Sequence, residues 1–337
     1  MRGDTSNLQA IAVPQRIHLS LWGKVLSGIA WGVGVGIFVL VGWMALEPVD
    51  PRGAVALITT EGATLVVLEV LALSAIVAGL ATVLVGRRLP DAGVFAVAVG
   101  LAVANLRGAT SAHLLIHVAG PDTAARSALA WKLAGEGLIW CLPVVTAMVV
   151  SGLVMCWLAH DGDDAGADRA SWRDGALAEI PGLKRLLPGT DREQPAGGRI
   201  NGLKACGLSF IAALVLFRLF ATGSPLRSVQ HGQTYFALVA AFYLAGWLAY
   251  RYFPVRTPLW GCLSVPLVML AAYVVCALGS PPRGYDQVAS VPPAAFFRAL
   301  PIEYIHVGTA AAIAAFWSSG RLPAADAGDG ACAARRG

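Results

Sequence analysis

The chain reads as an all-α integral membrane protein, a polytopic bundle of about eight transmembrane helices. Three observations carry this. Of its 337 residues, 57% are hydrophobic and only 13% charged, where a soluble domain carries about 25% charged residues. The apolar residues fall in runs near the ~20 that a helix needs to cross a bilayer. The basic residues collect in alternate segments between those runs, as the positive-inside rule requires. A water-soluble fold of this length could not hide so much apolar surface.

Helix 1 is expected over about 22–45. The run from Val25 to Leu46 is too long for a signal-peptide core of ~7–15 residues, so it reads as uncleaved despite Arg2, Arg16 and Lys24 before it. Further helices are expected over about 65–85, 93–113, 133–158, 203–220, 233–250, 259–278 and 302–318. The third meets Arg107 early, and the eighth contains Glu303 and His306. Pro143 and Pro266 predict kinks in helices 4 and 7, because each ring frees a carbonyl.

Residues 1–158 thus form a first four-helix block and 203–320 a second. The polar segment 159–202 joins them, and 321–337 form a disordered tail. Within the linker, Trp172, Leu177, Ile180, Leu183 and Leu187 outline one face of a short interfacial helix that Pro181 interrupts. The blocks look related: Arg87-Arg88-Leu89-Pro90 closes helix 2 and Arg251-Tyr252-Phe253-Pro254 closes helix 6. A parallel repeat and chance similarity of apolar helices explain this equally well.

With a cytoplasmic amino terminus, the cytoplasmic segments hold 17 of the 25 basic residues. Both termini are then inside a cell membrane of the bacterial inner-membrane type. Trp22, Trp157, Tyr250, Tyr252 and Trp317 mark the inner boundary and Trp43 the outer one. The net charge of +5 is spread through these segments without a dense basic cluster, so no nucleic acid is implied as a partner. The six cysteines form no C-x-x-C pair, which argues against a disulfide framework or zinc site.

Ionisable residues within membrane helices are the best functional pointers, because each costs several kcal/mol unless paired or hydrated. Glu69, Arg107, Glu136, Arg218 and Glu303 all fall towards the outer side, where they outline a polar vestibule for a charged solute or protons. The structural alternative is snorkelling or mutual pairing at helix ends. His113 and His117 are four residues apart, and Glu303-x-x-His306 puts an acid and an imidazole on one helix face. A metal site using His113, His117 and His306 is the chemical reading; interfacial histidines are the structural one. A di-iron bundle needs two copies of that second motif and only one is present.

Gly28, Gly32 and Gly36 form a tandem small-xxx-small face on helix 1. It suits a second subunit, of this chain or another, or packing within the chain. No P-loop, nucleophile elbow, H-E-x-x-H or dinucleotide fingerprint is present, and no cofactor is implied. Three function classes follow. A transporter or permease leads, ahead of a non-catalytic membrane subunit and a metal-binding redox subunit.

Overall fold

A computed structural model describes residues 21–48, 50, 53–86, 89, 91–119, 122–160, 198–221, 230–253, 255, 257–279 and 295–319. The interfacial-helix pattern of the linker, the tail and the residues Arg87, Arg88, Pro90 and Pro254 lie outside them. The described residues are helical, with one isolated bridge, Ala54 to Ala109, and no strand.

The helices are α1 (Leu21–Ile37), α2 (Trp43–Leu46), α3 (Ala63–Val85), α4 (Ala92–Asn105) and α5 (Ser111–Leu114). They continue as α6 (Thr123–Ile139), α7 (Cys141–His160), α8 (Gly198–Phe220), α9 (His231–Tyr252), α10 (Leu259–Leu278) and α11 (Pro301–Ser318). A π-helical turn, Phe38–Gly42, joins α1 to α2, so the first apolar run is one continuous rod.

Among the described residues, six of the eight expected spans are long and apolar enough to cross a membrane: Val25–Leu46, Ala63–Val85, Ala124–Leu158, Ile200–Phe220, His231–Tyr252 and Leu259–Leu278. Their outward faces are apolar, with Leu40 71%, Met44 79%, Ile211 61% and Phe236 64% exposed. Water would not tolerate this much exposed hydrocarbon and lipid would. The chain is a multi-pass membrane protein.

The two helices missing from the eight are α4 and α11, for different reasons. α4 has 14 residues, about 21 Å at 1.5 Å per residue, short of a ~30 Å hydrocarbon core. α11 is long enough but carries Glu303 and His306. Both are enclosed: α11 is buried along nearly its whole length, as is α4. Such helices do not meet lipid and need not be uniformly apolar. They pack on one another at the centre, with α1, α3 and α7 against α4 and α9 and α10 against α11. Counted in the two expected four-helix blocks, the enclosed helices are the third of the first and the fourth of the second, which lends the expected repeat no support.

Side-chain contacts fix the helix directions. Glu303 meets His231, and Phe316 meets Tyr250 at a ring separation of 5.3 Å, so α11 runs parallel to α9. The Tyr273 hydroxyl donates to Ala299 O at 2.7 Å, while a Cβ at Gly261 would meet Ala312, so α10 runs opposite to α11. Ser127 donates to Ala277 O at 2.8 Å and Gly137 faces Met269, so α6 runs against α10. α11 therefore begins alongside the second half of α10, well inside the bundle.

The segment 53–56, the 3-10 turns Leu57–Thr59 and Ala295–Arg298, residues 299–300 and α5 fill the bundle above it. Ala54, Val55, Ala56, Phe297, Ala299 and Leu300 are all buried. Irregular backbone at this depth is tolerated because protein, not lipid, surrounds it.

The fourth expected helix differs in two respects. The fourth span starts at Thr123, ten residues early, because Asp122 caps it: its carboxylate accepts from Ala124 N at 3.1 Å and Ala125 N at 3.3 Å. The kink expected of Pro143 lies at Trp140, between α6 and α7. A proline ring clashes with the carbonyl four residues before it, here Ile139, and the helix breaks there.

Candidate functional site

A group of buried polar residues gathers where the carboxyl end of α4 meets the amino end of α11: Asn105, Glu303 and His306. α11 starts with Pro301 at its first position, where the missing N–H costs nothing. Glu303 sits two residues on, and its Oε2 accepts from Leu300 N at 2.7 Å, which fixes the carboxylate against the helix start.

Its other oxygen, Oε1, meets His231 Nδ1 at 2.9 Å and Asn105 Nδ2 at 3.3 Å. His231 Nε2 lies 2.8 Å from Gly108 O. A carbonyl only accepts, so Nε2 carries a hydrogen. One proton then lies between Nδ1 and Oε1, and wherever it sits the pair is neutral. The imidazole partner spares a carboxyl group 1% exposed the several kcal/mol that an isolated buried charge costs. The imidazole side chain retains 20% exposure, so the pair is reachable from one side.

Tyr235 orients the rest. Its hydroxyl donates to Ala102 O at 2.6 Å, so its oxygen accepts from Asn105 Nδ2 at 3.3 Å. Both amide hydrogens of Asn105 are thus committed, one to Tyr235 and one to Glu303. The amide cannot be flipped, and Oδ1 is left buried without a donor.

A second buried acid lies nearby, next to Gly137, whose Cβ position meets Pro301 at the start of α11. Glu136, buried on α6, accepts from Trp140 Nε1 at 2.8 Å and Ile58 N at 3.3 Å. The Trp140 ring stands edge-on to His306, with centroids 5.9 Å apart. His306 Nδ1 lies 2.9 Å from Ile302 O, so it holds the ring hydrogen, and Nε2 is a buried lone pair with no partner. Contacts therefore run from Glu136 through Trp140 to His306, one helical turn along α11 from Glu303.

Of the residues singled out in the sequence, Glu136 and Glu303 belong to this interior and the others do not. Glu69 and Arg218 are exposed on the outer faces of α3 and α8. Arg107 stacks over Trp43, 4.7 Å from the ring centroid, and donates to Val39 O at 2.9 Å. His113 and His117 lie ring to ring at 4.2 Å, and His113 Nε2 is 3.5 Å from Asp50 Oδ2. Among the described residues no group of three or more His, Cys, Asp or Glu is placed to hold a metal ion. His113, His117 and His306 do not come together.

Gly28, Gly32 and Gly36 leave open space where a Cβ would stand. Gly34 is the glycine that packs inside the chain: its Cβ position lies 3.1 Å from Ala96 O on α4. The sequence reading missed His231, Asn105, Tyr235 and Trp140. A histidine opening a membrane helix was the available signal for His231.

At the opposite end of the bundle, Asp91 precedes α4, and burial pushes its carboxyl up to about 7. An acid raised in the folded state favours folding only while protonated. Stability should therefore fall as pH rises from about 4 to 7 and level off above. Asp91 keeps some exposed surface, which moderates the effect. Asp91→Asn is expected to flatten this part of the pH–melting curve in detergent; an unchanged curve would remove Asp91 from the account.

No known protein family, curated protein or solved structure matches the chain.

Proposed function

We propose that this protein is a transporter or permease of the membrane that moves a small charged solute with protons, or protons alone, and that Glu303 and His231 hold the proton. The supporting observation is the neutral pair itself. Glu303 Oε1 lies 2.9 Å from His231 Nδ1 inside a membrane bundle, with the imidazole side chain 20% exposed. Intramembrane acids and histidines of this kind are characteristic of proton relays in pumps and transporters. The carboxyl end of one enclosed helix and the amino end of another frame the site, as discontinuous helices do in secondary transporters. Glu136 is a second buried acid near the pair; Glu69 and Arg218 are exposed on outer faces and Arg107 stacks over Trp43.

The basic-residue bias supports a cytoplasmic position for the Arg87–Arg88 turn and for 159–202. His231 and Glu303 then open to the outer side of a cell membrane.

Proteoliposomes with an entrapped pH dye test the reading. Wild-type vesicles should acidify under an imposed pH gradient or potential, and pools of small organic and inorganic ions should accelerate this for a coupled solute. Glu303→Gln should slow acidification at least tenfold, about 1.4 kcal/mol of barrier. Wild-type vesicles no leakier to protons than empty ones, with every pool, would sink the proposal.

A second reading, a non-catalytic subunit of a larger assembly, draws on the glycine face of α1. Gly28 and Gly32 are exposed and all three glycines lack neighbours, a surface suited to close approach by another helix.

A further inference from the structure

We propose that the transported solute is a small oxyanion, a carboxylate or inorganic phosphate, and that the guanidinium of Arg298 binds it. This rests on the transport reading and names the solute's chemical class.

Arg298 closes the 3-10 turn Ala295–Arg298, two residues before Leu300, whose N–H holds the Glu303 carboxylate. Its carbonyl accepts from Ser111 Oγ at 3.0 Å in a buried contact. The same short stretch, residues 108–111, also holds His231, whose Nε2 lies 2.8 Å from Gly108 O. Arg298 is therefore tied, through its own backbone and through this stretch, to the end of the bundle that carries the Glu303–His231 pair.

Arg298 is only 7% exposed, and Phe297, Ala299 and Leu300 beside it in the chain are fully buried. Arginine stays charged in proteins and is almost never buried this far without a partner. Among the described residues no carboxylate meets its guanidinium. The two ion pairs described above join other groups. Burial alone holds the guanidinium pKa below the ordinary arginine range, with no neighbouring acid to raise it. Arg126, the other buried arginine of the described residues, has a partner of its own. The acids nearest this end are committed: Glu303 to His231, Asn105 and Leu300, Glu136 to Trp140 and Ile58, and Asp50 beside His113.

A buried charge without a counter-charge costs several kcal/mol, and an anion arriving from solution supplies that counter-charge. The planar fork of five N–H donors matches a carboxylate or phosphate through two parallel hydrogen bonds. The positive charge repels a cationic solute, so charge selects an anion and the fork selects an oxyanion. A residue enclosed to this degree faces a diffusing solute rather than a lipid headgroup, which meets side chains at the bundle surface.

The test uses the full chain, first in maltoside detergent. Sodium pyruvate or sodium phosphate should raise the melting temperature, and sodium chloride at equal ionic strength should not. Arg298→Gln should lose this shift, yet melt at or above wild type without anion, because an uncompensated buried charge is gone. Arg298→Lys keeps the charge without the fork and should bind at least about tenfold more weakly. In dye-loaded proteoliposomes the same anion should accelerate wild-type acidification, with a half-saturating concentration at least about tenfold higher in Arg298→Lys. An Arg298→Gln protein that fails to fold, or melts well below wild type, would make Arg298 structural and overturn the proposal. So would a melting shift given by phospholipid alone, or by neither anion, and so would acceleration by cations only; in each case acidification by wild-type vesicles would leave the transport reading standing. A melting shift that depends on Arg298, in a protein whose vesicles never acidify, would remove the transport reading and leave the anion site.

Discussion

Replacing Gly93 by leucine is expected to abolish the folded protein. A Cβ there would run into Ser151 Oγ, with Thr82 Oγ1 at 2.6 Å and the Ala78 carbonyl oxygen at 2.8 Å. Two of these atoms also belong to a buried hydrogen bond, Thr82 Oγ1 to Ser151 Oγ at 3.0 Å, and the third is backbone. Relief would require α4 to leave α3 and α7 together. Overpacking costs about 1–3 kcal/mol where side chains can yield, and here a backbone atom cannot. Gly32→Leu is the contrasting substitution. Nothing lies within 4 Å of its Cβ position, so the monomer should melt as wild type does. If α1 docks a second subunit through this face, the same substitution should dissociate it. Melting in detergent and mass measurement by light scattering read the two effects separately. A Gly93→Leu protein that melts normally would refute the α4 packing described above. An oligomer untouched by Gly32→Leu would refute the interface.

Glu303→Ala should produce the second largest loss. It leaves His231 Nδ1, Asn105 Nδ2 and Leu300 N facing a space without an acceptor. Removing one partner of a buried pair typically costs about 3–5 kcal/mol. Glu303→Gln retains an oxygen for Leu300 N and should cost much less. The expected result is a large fall in melting temperature for alanine and a small one for glutamine, together with loss of proton movement in both. An alanine variant as stable as wild type would mean that the carboxylate does not organise this end of α11.

The membrane class and most helix positions were legible because lipid-facing helices need long apolar runs, and those runs stand out. The two missing spans were ambiguous for a physical reason. α4 ends where Leu106–Gly108 turn away, and α11 is polar at its start because protein encloses it. Neither condition is visible without knowing the neighbours.

The same limit governs the site. Glu136 and Glu303 were recognisable as charges out of place, but so were Glu69 and Arg218. A membrane helix is apolar on all sides, so its sequence does not mark the inward face as amphipathicity does in water. Glu69 lies on the exposed side of α3 beside Leu65 and Leu68, and its face could be read only from the packing. His231 pairs with a residue 72 positions away, and no local pattern announces a contact over that distance.

The enclosed position of α11 also has a consequence for biogenesis. A segment bearing Glu303 and His306 is a poor candidate for release into lipid on its own. The helices that sheathe it, α4, α9 and α10, all precede it in the chain. Its passage into the bilayer is thus an act of assembly onto a preformed cradle, and a chain ending before Pro301 would leave that cradle's polar lining facing lipid.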